Sequence, residues 1–540
     1  MARERKIPRP SYVDEFKKPK GTEIKHVRGG WYLYECSSKY VPELKRSKKI
    51  SGRCLGAITP EGFKPTTRRL QSLNDSQVTQ PQIDDVLFIG GPIFFWRRTA
   101  ELRTRLKKFF PDIWETIYAE VLLRLEWDPQ FKRLPLHHES SLLAMMFPGQ
   151  SFSSNSNSAF LRQLGKRRQS MIDFMREDIE NNGAFILFDG HRIISSSKSM
   201  EFAELGYDSK RRFMNQINLM YIFSLSENSA SPAFYKQYIG STLDVSAFPD
   251  ILKESGAETQ RCTIVGDKGV SSEDDLQRFD NDGLQYIFPL RRGNRFSKKL
   301  IPITPETFSD TFNYNRRAIK ATKIEEENFN VFVFMDLNLY ENELSDAVER
   351  RENNNKEIER RIKLELERRR KGNGKLSDEE FKLLIPKETS EIYKEIPEMG
   401  TITVRTNRKD LNSEQVYRVY KQRQNIEQFF KNYDCTLDFD ASYMRDRVTQ
   451  EAWLFLNHLC AMIAMDCLGS IMAAGIDKNV SLKDLLKSLQ KITAIKIDGT
   501  WRIPPIKRKV STLLDKLGVD INEEELEATL SAASSCRSIP

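Results

Sequence analysis

The 540-residue sequence has few of the features that would mark a zinc-binding, secreted or membrane protein. Its seven Cys form no Cys-x2-Cys pair and only five His are present, so we expect reduced thiols in a cytoplasmic protein and no zinc site. The first ten residues, MARERKIPRP, lack the apolar segment of a signal peptide. Residues 451–475 are the most apolar stretch, but Asn457, His458 and Asp466 interrupt it. This pattern favours a core helix over a membrane span.

Positive charge is concentrated near the N-terminus. The formal net charge is +9, and residues 1–70 hold 18 Lys and Arg against 7 Asp and Glu, so the remainder is near neutral. Residues 29–38 and 51–59 alternate like two strands joined by KRSKK, which predicts a small basic β domain over residues 1–69. A polyanion is the natural partner of such a domain. For residues 1–20, a solubilising arm without fixed structure explains the composition equally well.

Two acidic residues follow short apolar runs. Residues 184–190 read AFILFDG and residues 263–269 read TIVGDKG, which predicts two buried strands of four or five residues that end at Asp189 and Asp267. A carboxylate just past the carboxyl end of a strand is well placed for a site, because crevices open there in α/β sheets. A simple turn would explain either Asp taken alone.

A third acid lies on a predicted helix with cations around it. Asn412 and Gln415 form a capping-box pattern, and neither Gly nor Pro follows until past Tyr433, so one uninterrupted helix is expected. Spacings of three and four residues place four side chains on one face: Tyr420, Arg423, Glu427 and Lys431. The opposite face is apolar and consists of Val419, Ile426, Phe430 and Tyr433. Surface ion pairs use the same spacing, so the pattern alone does not establish chemistry.

Taken together, the three acids predict a metal-dependent phosphoryl-transfer site. Asp189, Asp267 and Glu427 offer carboxylate oxygens and no soft ligand, which suits cations of the magnesium class. Two such ions would clamp the attacking and leaving oxygens of a phosphodiester. His191, two residues after Asp189, is close enough to assist the site but is not expected to be a ligand.

These motifs resemble those of the DDE transposases of prokaryotic insertion sequences, in the branch with a Tyr-x2-Arg-x3-Glu-x6-Lys signature. Tyr420, Arg423 and Glu427 match the spacing, and the turns DGHRI and DKGV match the contexts of the two family Asp residues. The final Lys is absent, because Asp434 occupies that position; Lys431 is the nearest cation. The resemblance implies an RNase H-like catalytic core in which the three acids bind Mg²⁺, with Mn²⁺ able to substitute.

The resemblance also implies an activity. We expect binding to terminal inverted repeats, metal-dependent cleavage of the transposon ends, and strand transfer by the freed 3′-OH, with a DNA hairpin as intermediate. The implied partners are double-stranded DNA, as transposon ends and target, and a second copy of the chain in a homodimer, in a cytoplasmic, nucleoid-associated protein. The expected DNA contacts are Tyr420, Arg423, Lys431, Arg291 and Arg292. Two alternatives remain open: a nuclease of the same core without strand transfer, and a catalytically silent DNA-binding remnant.

The remaining pattern predicts an α/β fold, an RNase H-like mixed sheet flanked by helices. Between the first two acids, strand-like runs at 217–226 and 233–242 precede a helix at 245–254, and residues 283–290 read as a further strand. The 160 residues from Asp267 to Glu427 are too long for one connection, which predicts a β-rich and helical insertion that includes an exposed charged helix at 341–372. The expected divisions are 1–69, a helical region at 85–180, core at 181–295, insertion at 296–400, core at 401–475, and a helical region at 476–540.

Two further helix boundaries are predicted within residues 85–180. Asp112 with Glu115 is a second capping-box pattern, heading a helix with an apolar stripe through Ile117 and Val121. The serine-rich residues 151–158 predict a break before another helix from about Phe160 to Asn181. Such a helix pair is expected to pack on the core, although a helix–turn–helix unit that reads DNA has the same pattern.

Overall fold

The protein is described by a computed structural model that covers residues 8–41, 46–65, 83–127, 130–182, 184–207, 213–225, 230–242, 244–257, 262–266, 273–301, 303 and 305–536. The chain divides into two compact units. The first consists of Met1–Asp84 with Ile497–Thr500, and the second of Asp85–Lys496 with Trp501–Pro540.

The first unit is built on a four-stranded antiparallel sheet. Its strands follow one another in the order β1 to β4 and are preceded by a short helix, Ser11–Asp14. The strands are β1 (Thr22–Val27), β2 (Gly30–Val41), β3 (Arg46–Thr59) and β4 (Gly62–Pro65). A small apolar core holds them together and contains Val13, Trp31, Leu33, Leu55 and Ile58. Most of the KRSKK segment belongs to β3, which begins at Arg46, and not to the connection as the sequence had suggested.

The second unit contains a mixed sheet. Its strands are β6 (Phe185–Ser195), β7 (Glu204–Tyr207), β8 (Phe213–Leu225), β9 (Ala230–Ile239), β10 (Thr263–Val265), β11 (Gln285–Pro289), β12 (Asp310–Tyr314), β13 (Arg317–Glu325), β14 (Asn330–Asp336), β15 (Thr401–Thr406) and β16 (Ala441–Ser442). They lie in the order β12-β13-β14-β15-β11-β10-β6-β8-β7, with β16 paired to β6 and β9 paired to β8. Three further short strands are β5 (Ile83–Phe88), β17 (Thr493–Ile497) and β18 (Thr500–Arg502).

Helices precede the sheet in sequence and also connect and follow its strands. Those before it are Gly90–Arg98, Ala100–Phe109, Trp114–Glu126, Leu134–Glu139, Leu143–Met146, Ser154–Gly165 and Arg168–Asn182. Those between its strands are Asp244–Ser255, Glu273–Asn281, Arg295–Lys298, Leu337–Arg370, Asp378–Lys382, Ile392–Glu395, Ser413–Lys421 and Arg423–Cys435. The last ones are Arg447–Ala473, Leu482–Leu489, Arg508–Lys516 and Glu523–Ser535. This arrangement of a large mixed sheet with helices confirms the predicted α/β class.

The region predicted as an insertion extends the sheet at one end. Strands β12, β13 and β14 form an antiparallel meander, and β14 pairs with β15 from Asn330↔Thr406 to Met335↔Thr401. The charged helix spans Leu337–Arg370, and its side chains are almost all exposed or half-buried, as its composition predicts. The main-chain hydrogen bonds of β14 and β15 therefore join this region to the strands that carry the candidate acids.

Two predicted helix boundaries were wrong. The helix near Asp112 begins at Trp114 with Ile113 as its N-cap, and Asp112 instead pairs with Arg167. A second helix starts inside the serine-rich run, because the Ser153 side chain accepts a hydrogen bond from the Ser156 N–H and caps it. Serine therefore acts here as a helix start signal and not as a break.

The apolar segment near residue 460 forms the helix Arg447–Ala473, which is long and apolar enough to cross a membrane by length and composition. In its most apolar window of 18 residues, 67% of the positions are buried within the protein. It packs against the helices Ser154–Gly165 and Trp114–Glu126 and against β9. We name it the core helix.

Candidate active site

The first candidate acid lies inside a strand and not at its end. Strand β6 continues from Phe185 to Ser195, so the expectation that it ends at Asp189 was wrong. Antiparallel pairing with β8 explains the continuation, since the ladder runs from Phe185↔Leu225 through Asp189↔Tyr221 to Ile194↔Gln216. What changes at Asp189 is burial: Ile186, Leu187 and Phe188 are buried, whereas residues 189–192 are half-buried.

The other edge of β6 has no described strand partner beside Asp189. Strand β10 runs parallel to β6 and pairs with it only over residues 185–187. The two-residue strand β16, also parallel, pairs with it at Ile194 and Ser195. Between these two neighbours, the described part of the chain supplies no strand partner for residues 188–193 on this edge. Asp189 therefore lies just past the carboxyl end of the parallel pair, although its own strand continues.

Local geometry fixes the Asp189 carboxylate. The Gly190 backbone N–H donates a hydrogen bond to Asp189 Oδ1 at 2.9 Å. Because side chains alternate along a strand, Asp189 shares a face of β6 with His191 and with its cross-strand partner Tyr221. The side chain of Phe188, on the opposite face, instead packs edge-on against Phe248, with ring centroids 4.6 Å apart.

The helix that carries Glu427, Arg423–Cys435, covers the face on which Asp189 lies; we call it the Glu427 helix. The Phe430 ring stacks on the His191 ring, with centroids 4.6 Å apart and an interplanar angle of 11°. Phe429 contacts Tyr221 at 5.4 Å between centroids, and Tyr433 contacts His191 at 5.6 Å. The predicted apolar face of this helix is thus the face that anchors it to β6 and β8.

The prediction of one uninterrupted helix through this region was wrong. A first helix, Ser413–Lys421, starts with the predicted capping box between Asn412 and Gln415. It ends at Gln422, whose N–H is shared between the carbonyls of Arg418 and Val419, as is common at helix termini. The Glu427 helix begins at the next residue.

This junction separates residues that were expected to share one exposed face. Tyr420 is 7% exposed and belongs to the core, whereas the Glu427 side chain is 68% exposed and Lys431 is exposed as well. Arg423 Nη2 lies 4.0 Å from Glu427 Oε1, and the Arg423 side chain is 30% exposed. Three of the four residues therefore remain accessible to a ligand, and Tyr420 does not.

The structure adds a cation that the sequence argument did not single out. Burial lowers the pKa of Lys421, whose surroundings include Asp336, Arg317, Arg423 and Glu427. Its Nζ also lies 5.4 Å from the centroid of the Tyr417 ring. The sequence pattern does not indicate that Lys421 lies near Asp336, because the two residues are far apart along the chain. Lys421 is marked in the sequence only by its position directly after Tyr420.

His191 has an acidic neighbour that the sequence does not place beside it. Its Nε2 lies 2.9 Å from Asp434 Oδ1, two helical turns beyond Glu427. Asp440 is close as well: burial raises the pKa of its carboxyl, and Asp434 and Asp438 raise it further. The position at which the resemblance expected a Lys thus holds an acid that contacts the strand of Asp189.

The two basic residues predicted to bind DNA outside the helices have different surroundings. Arg292 Nη2 lies 2.7 Å from the Glu343 carboxylate and also donates to the Thr401 carbonyl at 3.3 Å. Arg291 is exposed. Both arginines are exposed, but Arg292 is anchored to the charged helix and to β15.

The second candidate acid, Asp267, lies outside the described residues. The described strand before it, Thr263–Val265, has three residues, fewer than predicted, and pairs with both β6 and β11. Among the residues that the structure describes, no group of three His, Cys, Asp or Glu is placed to hold a metal ion. Any metal set that includes Asp267 thus extends beyond the described ranges.

Comparison with known proteins identifies a family that the chain matches. A family model described as the transposase DDE domain matches residues 184–463, which include Asp189, Asp267 and Glu427. No curated protein matches the chain. Among solved structures, it is similar to a piggyBac transposase in a synaptic complex with hairpin DNA, at 11% sequence identity and a TM-score of 0.35. That match covers 83% of this chain and 85% of the other.

Proposed function

Because the chain belongs to the transposase DDE domain family, we propose that it is the transposase of a prokaryotic insertion sequence. It binds the terminal inverted repeats of its element, cleaves DNA there and joins the freed 3′ ends to a target. One observation carries the proposal: the Glu427 helix packs across the sheet face of Asp189, where the parallel neighbour β10 stops. The catalytic core is then the RNase H-like part of the sheet.

Asp189, Asp267 and Glu427 are the proposed catalytic acids. The register supports Asp267 as the partner of Asp189: Val265 pairs with Leu187, and each precedes its acid by two residues. Glu427 lies on the helix that covers this face, and its carboxylate is accessible to a ligand. Carboxylates from two parallel strands and one covering helix would converge at a strand edge.

The donor set fits a hard divalent cation, Mg²⁺ or Mn²⁺, because all three side chains supply carboxylate oxygens. The Gly190 N–H donates a hydrogen bond to Asp189 Oδ1 and orients the carboxylate. When bound, such ions activate the attacking hydroxyl or water and stabilise the leaving 3′ oxygen. The cations of the site would hold the scissile phosphate in position, and the three carboxylates would supply the negative charge that binds the metal ions.

DNA contacts at this site come from the accessible cations. Arg423 and Lys431 lie one turn on either side of Glu427, where they can bind phosphates that flank the scissile bond. Tyr420 is buried, so we assign it to the support of the helix junction and not to DNA. Arg291 is a further phosphate contact, and a homodimer would pair two DNA ends.

The experiment that tests the proposal uses the purified full-length protein with its own gene and flanking DNA. Breaks are mapped with Mg²⁺ or with EDTA, beside Glu427→Gln and Asp189→Asn. The matched control is Glu414→Gln, which removes a similar helical ion pair, between Glu414 and Arg418 at 2.7 Å. We expect metal-dependent breaks at both gene flanks for the wild type and the control only. Cleavage that survives Glu427→Gln would overturn the proposal.

A second arm separates a transposase from a nuclease. Precut DNA that ends in the inverted repeat is supplied with a supercoiled target plasmid, and joined products are scored. Joining that requires Asp189 and Glu427 supports strand transfer. Cleavage without joining would instead assign the chain to the nuclease class.

A further inference from the structure

The C-terminal part of the chain contains a groove that the proposed active site does not use. It lies between the helices Leu482–Leu489 and Arg508–Lys516 and has a volume of about 630 Å³. In the first helix the leucines are buried, and in the second Val510, Leu513 and Leu514 are buried. The polar faces of both helices therefore point outward. We call this feature the C-terminal groove.

Both walls of the groove carry positive charge. It is lined by five exposed cations and one carboxylate: Lys487, Lys491, Arg508, Lys509, Lys516 and Asp484. Lys509, Thr512 and Lys516 follow helical spacing along one wall, and Asp484 and Lys487 do so along the other, with Lys491 just past the end of that helix. Two rows of cations therefore face a single open channel.

Within the part of the chain that the structure describes, no ion pair joins any of the five cations to an Asp or Glu, although the charges of Lys487 and Lys509 help to lower the pKa of Asp484. The carboxylate of Asp484 accepts hydrogen bonds from the Ser481 hydroxyl at 2.6 Å and from the Ser481 N–H at 3.0 Å. These bonds, chiefly, lower the pKa of Asp484 and hold it as a helix cap. Several positive charges along one groove favour an anionic ligand.

The lining distinguishes between two kinds of anionic partner. Among the described residues that line the groove, none is aromatic; the uncharged polar ones are Asn479, Ser488 and Thr512, and the apolar ones are Ile476, Val480, Val510 and Leu513. The core of a protein–protein interface is enriched in aromatic side chains. Lys and Arg beside small hydroxyl and amide groups are instead the usual contacts to DNA phosphates.

We propose that the C-terminal groove binds the phosphate backbone of double-stranded DNA, independently of sequence and outside the catalytic site. This inference rests on the proposed function only in that DNA is the ligand. Each cation that contacts a phosphate releases bound counterions from the DNA. The groove would thus hold flanking or target DNA while the catalytic acids act elsewhere on the molecule.

The test measures how binding depends on salt. The full-length protein is titrated with a fluorescent duplex of random sequence over a series of NaCl concentrations, beside the triple variant Lys487→Gln/Lys491→Gln/Lys509→Gln. Losing three phosphate contacts should reduce the slope of log K against log salt by roughly 2 to 3. Relative to 1 M salt, this corresponds at 0.1 M to binding weakened by about two to three orders of magnitude. Thermal unfolding checks that the variant is folded.

The matched control replaces three exposed cations elsewhere: Lys132→Gln/Arg162→Gln/Lys166→Gln. We expect its slope to equal that of the wild type. An unchanged slope for the groove variant, or equal losses in both variants, would overturn the proposal. A groove variant that becomes monomeric in sedimentation while its slope stays the same would assign the groove to a second copy of the chain.

The outcome is separable from the fate of the proposed function. Glu427→Gln retains the groove and should keep the wild-type salt slope even where cleavage is lost. If Glu427→Gln still cleaves, the catalytic proposal fails, and the slope of the groove variant still decides whether the groove binds DNA.

Discussion

His191 Nε2 lies 2.9 Å from Asp434 Oδ1, and this contact joins the strand of Asp189 to the helix of Glu427. The His191 ring also stacks on Phe430 of the same helix. His191, two residues from the proposed catalytic acid Asp189, is thus held by both Asp434 and Phe430 of the helix that carries Glu427. We infer that His191 and Asp434 are positioning residues, which set the placement of the Glu427 helix over β6.

The first prediction concerns this pair. His191→Phe keeps the stack on Phe430 but removes the polar contact, and Asp434→Asn removes the charge. A double-mutant cycle on unfolding should give a coupling of about 0.5 to 1 kcal/mol, because Asp434 is one-third exposed and solvent screens the pair. A coupling near zero would show that the two residues do not support each other.

The second prediction separates catalysis from stability at Glu427. The side chain is 68% exposed, and its nearest cation, Arg423, is 4.0 Å away. We expect Glu427→Gln to change the unfolding free energy by no more than about 0.5 kcal/mol while it abolishes DNA cleavage. Denaturant midpoints measured beside cleavage assays check this. A large loss of stability would identify Glu427 as a structural residue.

The third prediction concerns a buried ion network between the core helix and β9. Glu451 Oε1 accepts hydrogen bonds from Arg168 Nη1 at 2.7 Å and from the Tyr235 hydroxyl at 2.9 Å, and its Oε2 accepts one from Gln237 at 2.6 Å. Glu451→Ala leaves Arg168 and two polar groups without this partner. We expect it to destabilise the second unit by about 3 kcal/mol, the lower end for a broken buried pair, because Glu254 still pairs with Arg168.

The control for that change is Glu254→Ala, which leaves the contact between Arg168 and Glu451 in place. The Glu254 side chain is 20% exposed, whereas that of Glu451 is 8% exposed, so we expect a smaller loss of stability. Thermal unfolding of both variants decides the order. Equal losses would contradict the larger contribution expected of the more buried Glu451.

The fourth prediction concerns pH. Burial raises the pKa of Glu126 from its ordinary value of 4.5 to about 8. Between these values the native state binds more protons than the unfolded state, so stability falls as pH rises. The stabilising contribution of the protonated carboxyl is complete below about pH 4.5 and is lost as pH passes 8.

Glu126→Gln keeps the shape of the side chain and removes its titration. The variant should gain stability relative to the wild type as pH rises from 4.5 to 8, with a constant difference above that range. Thermal unfolding over a pH series measures the difference. Parallel curves for the two proteins would contradict the inferred state of Glu126.

The sequence was sufficient where local rules act. The capping box at Asn412 and Gln415 formed as predicted, because its hydrogen bonds depend only on residues three apart. The apolar stripe of Ile426, Phe430 and Tyr433 packs inward, since helical periodicity fixes which side chains share a face. Strand β15 spans Thr401–Thr406, a short run rich in Thr and Val, which favours a strand.

Tertiary structure decided what depends on partners distant in sequence. Strand β6 runs past Asp189 because β8, some thirty residues on, pairs with it along nearly its whole length. The helix ends at Gln422, which buries Tyr420 while Glu427 stays exposed, and no Gly or Pro marks that point. The contact between Asp434 and His191 requires the helix to dock on the sheet. The sequence alone determined that the candidate residues carry carboxylates, and it determined the periodicity of the strands and the helix on which they lie. Only packing decided which acid faces which cation, because distances across a fold are set by its whole core and not by neighbours along the chain.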